Sequence, residues 1–128
     1  MTRYVVDAYA WIEYLDGSPR GARVRDHIEN PANTILTSAV TLAELVSKSL
    51  RTKRDPKVAI TAVESNSALQ TITPVLATLA GEVHAEEKKR KQDFGLADAF
   101  VLATARSRSS KVLTGDPHFK DVPEAVMI

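Results

Sequence analysis

The 128-residue sequence predicts a single α/β domain, residues 1–128, with a central parallel sheet of four to five strands covered by helices. Three observations lead there. Strand-length apolar runs alternate with helix-length segments along the chain. The runs, such as Tyr4-Val5-Val6 and Val112-Leu113, are continuously apolar instead of alternating, the pattern of strands covered on both faces. No linker, internal repeat or low-complexity tract divides the chain, and its length suits one core and is too short for two.

In order, Arg3 to Asp7 reads as a short buried strand and Ala8 to Leu15 as a helix ending near Asp16-Gly17-Ser18-Pro19. A second helix starts around Pro19 and stops at Asn30-Pro31, because the residue before proline avoids helical angles. Thr34 to Thr37 is the second strand. Ser38 caps a helix running to about Arg51; Asp55 caps another, with Pro56 at its first position, reaching about Ala68. Leu69 to Thr73 is the third strand. Thr73-Pro74 opens a long helix to about Lys91, and the break at Asp93 to Gly95 precedes a helix from about Leu96 to Arg108. Lys111 to Thr114 is the fourth strand and Ala125 to Ile128 a fifth.

Composition narrows the chemistry. With no cysteine, disulfides, thiol nucleophiles and thiolate zinc sites are excluded. A net charge of +1 argues against a uniformly basic surface, so nucleic-acid contact must come from local clusters. No window approaches the roughly 20 apolar residues of a membrane span, and no export signal precedes the first strand; a cytoplasmic location is the default expectation.

Four carboxylates stand beside apolar or small-residue runs: Asp7 after Val5-Val6, Glu44 in Leu42-Ala43-Glu44-Leu45, Asp98 in Leu96-Ala97-Asp98-Ala99-Phe100, and Asp116 after Leu113-Thr114-Gly115. A carboxylate carried into or beside a core is costly unless it is paired, hydrogen-bonded or bound to a cation. Each has an ordinary reading too. Asp7 is placed to cap the first helix, Asp116 to form a Gly-Asp-Pro turn, and Asp98 to sit at a helix start, where the backbone dipole favours an anion. On a helical wheel Glu44 lies among Ser47, Lys48 and Arg51, opposite Leu42 and Val46, and Glu44 with Lys48 reads as a solvated i,i+4 pair. Taken together, two strand-end aspartates and two acids in early helical turns project to one rim of a parallel sheet, where open α/β sheets bind ligands. If they converge, Mg²⁺ is the simplest compensation, and at least one carboxyl should titrate high without it.

The ordered blocks Val6-Asp7-Ala8, Thr41-Leu42-Ala43-Glu44-Leu45, Leu96 to Ala105 and Leu113-Thr114-Gly115-Asp116-Pro117-His118-Phe119 resemble those of the PIN-domain nucleases, most of all the VapC-type toxins of prokaryotic toxin–antitoxin pairs. The resemblance runs from Arg3 to about Phe119. It implies a three-layer PIN-like sandwich, with Asp7, Glu44, Asp98 and Asp116 around Mg²⁺ or Mn²⁺ and Thr114 as the hydroxyl residue two before the last acid. It also implies an RNA substrate, a small antitoxin partner and a homodimer. One departure is Tyr9, where many members carry a small hydroxyl or amide residue two after the first acid.

Among the basic clusters, Arg51, Lys53 and Arg54 (with Lys48 and Lys57 nearby) are the favoured grip on an RNA backbone. Arg106, Arg108 and Lys111 form another candidate group, while Lys88 to Lys91 is largely explained by pairing of Glu86 with Arg90 and Glu87 with Lys91. His27, His84 and His118 lack zinc-ligand spacing and read as structural or exposed, and Trp11, Ile12, Tyr14 and Leu15 as core or subunit contacts. A receiver domain or an aspartyl phosphatase would need paired acids or Asp-x-Asp after the first strand, which Asp7-Ala8-Tyr9 does not supply. A PIN-like module that binds metal without catalysis, or that serves RNA processing, is the remaining alternative.

Overall fold

Val5 faces one side of the central sheet and Val6 the other, and that alternation organises the molecule into three layers. The computed structural model describes residues 2–128; Met1, first position of the expected domain, lies outside them. The elements are β1 (Arg3–Val6), α1 (Ala8–Asp16), α2 (Pro19–Ile28), β2 (Thr34–Ser38), α3 (Ala39–Arg51), α4 (Pro56–Asn66), β3 (Ala68–Gln70), α5 (Pro74–Lys88), α6 (Leu96–Ser107), β4 (Lys111–Thr114), a 3₁₀ turn Pro117–Phe119 and β5 (Ala125–Met127).

All strand pairs are parallel, in the order β3-β2-β1-β4-β5. The chain therefore builds outward from β1 in one direction, then returns to build on its other side. The gap between β1 and β4 is the topological switch point, where the flanking connections diverge and leave a crevice at the strands' carboxyl ends.

Val5, Leu36 and Val112 pack beneath α5 and α6 with Phe94 and Phe119. Val6, Ile35 and Leu113 pack beneath α1 to α4 with Trp11, Val24, Leu45 and Val63. Each fully buried side chain of this size contributes on the order of 1.5–3 kcal/mol. Trp11 is wholly buried, its indole N–H donating to Thr37 Oγ1 at 3.2 Å, while Ile12 and Leu15 are partly buried beside it.

Helix starts follow the sequence signals. Ser38 and Asp55 accept bonds from Val40 and Lys57 N–H, and prolines open α2, α4 and α5. Gly17, at φ 66°, closes α1 in the left-handed conformation that glycine adopts without a Cβ penalty.

Two boundaries differ from expectation by three residues, and the others lie within two. β3 ends at Gln70, short of Thr73, because Gln70 pairs with Ser38, after which β2 has become α3 and offers no further ladder. α5 ends at Lys88, short of Lys91, because the chain must leave the helix axis to bury Phe94 against Phe119, their rings 5.8 Å apart edge to face. The early stop changes the pairing: Glu86 binds Lys89 and Glu87 binds Arg90, both at i,i+3, in place of the expected i,i+4 partners.

Candidate metal centre

The parallel register pairs Val6 with Leu113, so the next residues, Asp7 and Thr114, emerge side by side at the switch point. Asp7 N–H donates to Leu113 O at 3.2 Å. The Asp7 carboxylate accepts Ala10 N–H on Oδ1 at 2.9 Å, capping α1, and the Thr114 hydroxyl on Oδ2 at 2.5 Å. Thr114 Oγ1 in turn accepts Asp116 N–H at 2.9 Å, tying the last acid to the first.

Asp98 reaches the same rim by a different route. α6 lies against β1, β2 and β4 and turns at residues 108–110 into β4. Its C-terminus therefore lies where β4 begins, and its N-terminus, with Asp98, where β4 ends. Asp98 Oδ2 accepts Gly95 N–H at 3.0 Å, and Asp116 Oδ1 accepts His118 N–H at 2.9 Å. The capping and turn roles expected of Asp7, Asp98 and Asp116 are thus all real, and they aim the carboxylates at one another instead of competing with a site.

Their electrostatics show the convergence. Asp7 is buried, and its carboxyl is pushed up to about 7, first by loss of water, and further by Asp116 and Asp98, against the lowering effect of the Thr114 and Ala10 bonds. Glu44 is also raised, by desolvation and then by Asp98 and Asp116. The expected high-titrating carboxyl is therefore present, with burial ahead of mutual repulsion as its cause. The expected Glu44–Lys48 pair is not made: Lys48 turns toward a groove with Ile12, Leu15 and Leu45, while Glu44, although open to solvent, faces the aspartates. The wheel placed Glu44 correctly relative to Leu42 and Val46, but it could not show that α6 brings Asp98 to the same side.

Among the described residues no Lys or Arg pairs with any of the four acids. The partner they do have is His118, whose Nδ1 lies 3.1 Å from Asp98 Oδ2 and 3.4 Å from Asp116 Oδ1. This corrects its reading as a merely structural or exposed histidine. Position 118 follows the last acid by two, and the 3₁₀ turn folds the ring back over it. His27, by contrast, bonds Arg23 O and packs on Tyr4. The donor set of carboxylate oxygens plus one imidazole, short of internal cations, fits a divalent metal ion.

Tyr9 stands beside the centre, its ring against Gly115, where a Cβ would collide with it. Its hydroxyl accepts from Arg20 at 2.5 Å, a basic contact that no sequence pattern singled out. Lys91 Nζ donates to His118 O at 2.7 Å. The favoured basic cluster lies farther off: Arg51 is seven residues along α3 from Glu44, about 10 Å at 1.5 Å per residue. Arg54 is held by Asp16 at 2.7 Å. Arg106 and Arg108 lie at the C-terminal end of α6, the end away from Asp98, bonded to Glu124 and Gln70, so they do not pair with the acids.

Residues 4–125 match the family model described as PIN domain. No curated protein matches the chain in sequence. Among solved structures, the chain is similar in fold to VapC20 of Mycobacterium tuberculosis, described as a sarcin–ricin loop cleaving toxin, with TM-score 0.80, 18% identity and 98% of each chain covered. It is likewise similar to the DNA-bound VapBC of Salmonella typhimurium, with TM-score 0.74 and 22% identity over 100% of this chain and 98% of that one. VapBC2 of Rickettsia felis, bound to a promoter DNA fragment, gives 0.76 and 18% over 99% and 98%.

Proposed function

Since the chain belongs to the PIN-domain family, we propose that it is a metal-dependent endoribonuclease and the toxin of a toxin–antitoxin pair. The observation that carries this reading is that Asp98 and Asp116 meet at the β1/β4 switch point, near enough to Asp7 and Glu44 to raise both, with no Lys or Arg paired to any of the four among the described residues. Glu44, with no protein hydrogen bond on either oxygen among the described residues, and Asp98 and Asp116, whose carboxylates keep lone pairs beyond those their bonds use, are the acids that would hold Mg²⁺ or Mn²⁺. Bound there, the ion supplies Lewis-acid activation of water and stabilises charge on the departing oxygen.

The protein's own part is orientation. Thr114 fixes the Asp7 carboxylate with its hydroxyl proton and the Asp116 backbone N–H with an oxygen lone pair. The α1, α6 and 3₁₀ caps lock the three aspartates in place before substrate arrives, as an electrostatic site requires. Arg20 and Lys91 stand close enough to meet phosphates flanking the cut, and Arg51 and Lys53 extend the basic track along α3, with Arg54 contributing once released from Asp16.

VapBC complexes among the structural neighbours support a small antitoxin as partner. The apolar row Leu42, Val46 and Leu50 on α3, half-buried at the first two and exposed at Leu50, supplies surface of the kind that an antitoxin or a second subunit covers, in keeping with a homodimer. A cytoplasmic RNA is the expected target. Among the described residues no helix is long and apolar enough to cross a membrane.

The decisive experiment incubates the purified protein with cellular RNA in Mg²⁺ or Mn²⁺ and maps new ends, with EDTA and Asp98→Asn as controls. Discrete cuts that vanish in both controls support the reading. Undiminished cutting in EDTA overturns it.

A further inference from the structure

Among the described residues His118 is the nitrogen donor that stands against Asp98 and Asp116, and three features hold its backbone there. Its backbone N–H is bonded to Asp116 Oδ1, its carbonyl is gripped by Lys91 Nζ, and the following residue, Phe119, is wholly buried in the core. The backbone that carries the ring is thereby fixed beside the two carboxylates. Its Nδ1, one oxygen of Asp98 and one of Asp116 lie within 4.8 Å of one another. In a six-ligand shell with bonds of about 2.1 Å, neighbouring donors stand about 3.0 Å apart. The separations of Nδ1 from Asp98 Oδ2 and Asp116 Oδ1, 3.1 and 3.4 Å, match that edge.

We propose that His118 Nδ1 is itself a ligand of the metal centre, beside Asp98 and Asp116, and that this nitrogen biases the centre toward Mn²⁺ over Mg²⁺. The inference rests on the metal-centre reading above and adds a donor to the four acids. Mg²⁺ favours oxygen and keeps its waters, whereas first-row transition ions accept imidazole readily. On ligation a doubly protonated ring gives its Nδ1 proton to solvent, and a neutral ring protonated on Nδ1 passes that proton through solvent to Nε2, so that the bound ring is neutral with its proton on Nε2. Nδ1 thereby changes from a donor to Asp98 and Asp116 into a third member of their set.

The test is pulsed electron paramagnetic resonance of the Mn²⁺-loaded protein grown with ordinary or ¹⁵N-labelled histidine, together with Mn²⁺ and Mg²⁺ affinities by calorimetry. A directly bound imidazole gives a ¹⁴N modulation that changes to the ¹⁵N pattern on labelling. In His118→Ala the modulation disappears and the preference for Mn²⁺ over Mg²⁺ falls about tenfold or more, with Mg²⁺ affinity little changed. Mn²⁺ that binds the unsubstituted protein with no nitrogen coupling overturns the proposal and leaves the carboxylate centre standing. Failure of the unsubstituted protein to bind either ion overturns both.

Discussion

The hydroxyl of Thr114 donates a 2.5 Å hydrogen bond to Asp7 Oδ2 across 107 positions of sequence, and the same oxygen accepts Asp116 N–H. One side chain therefore fixes two acids. Thr114→Val keeps the shape and the buried β-branched packing but removes both bonds. The variant should lose about 1–3 kcal/mol of stability and cut RNA on the order of 100-fold more slowly, with Thr114→Ser restoring most of both. Chemical denaturation and single-turnover cleavage read the two effects. A valine variant with unaltered cleavage would remove Thr114 from the site.

Asp7 makes stability depend on pH. Its carboxyl titrates near 3.8 in an unfolded chain and about 7 in the fold, so between those values the folded metal-free protein holds a proton that the unfolded chain has lost. Stability is therefore full below about pH 4 and declines as pH rises toward 7, by up to about 4 kcal/mol. Asp7→Asn should abolish cleavage yet be more stable than the parent at pH 8 in EDTA, and nearly equal at pH 4. Equal destabilisation at both pH values would contradict the buried-acid account.

Metal should offset the remaining repulsion. Mn²⁺ or Mg²⁺ at about 100 times its dissociation constant adds roughly 2.7 kcal/mol, several degrees in Tm, and EDTA should reverse it. Asp98→Asn and Asp116→Asn should each flatten the response while leaving the metal-free melting point within a few degrees. A metal-induced shift that survives both substitutions would place the ion elsewhere.

Gly115 is required by a neighbour rather than by its own backbone. In Gly115→Ala the new Cβ meets the Tyr9 ring, so either the ring swings, dragging Arg20, or the Thr114–Asp116 segment shifts. The expected cost is about 1–3 kcal/mol together with slower cleavage, and Tyr9→Ala in the same chain should recover part of the stability. No recovery in the double variant would show that the clash lies elsewhere.

Arg20 and the α3 cluster separate by their salt dependence. Arg20→Ala should weaken RNA binding and lower the steepness of its fall with salt by about one phosphate contact, and Arg51→Ala with Lys53→Ala by about two. Catalytically inactive Asp7→Asn protein makes the titration possible. Unchanged slopes would mean that neither patch touches RNA.

The sequence by itself determined the layers. Continuous apolar runs such as Val5-Val6 and Val112-Leu113 can be satisfied only by cover on both faces, and serine, aspartate and proline signals placed most helix starts. It also marked Asp7, Glu44, Asp98 and Asp116 as acids oddly placed beside apolar runs, and the family resemblance added Thr114. Local periodicity could not say what each faces, because that depends on strands and helices far apart in sequence. Only the tertiary structure turned Glu44 from one half of an i,i+4 pair toward Asp98 and Asp116, folded His118 among the carboxylates, and tied Arg106 and Arg108 to Glu124 and Gln70. Electrostatic effects fall with distance through space, and the parallel order β3-β2-β1-β4-β5 is what brings Asp7 beside Thr114.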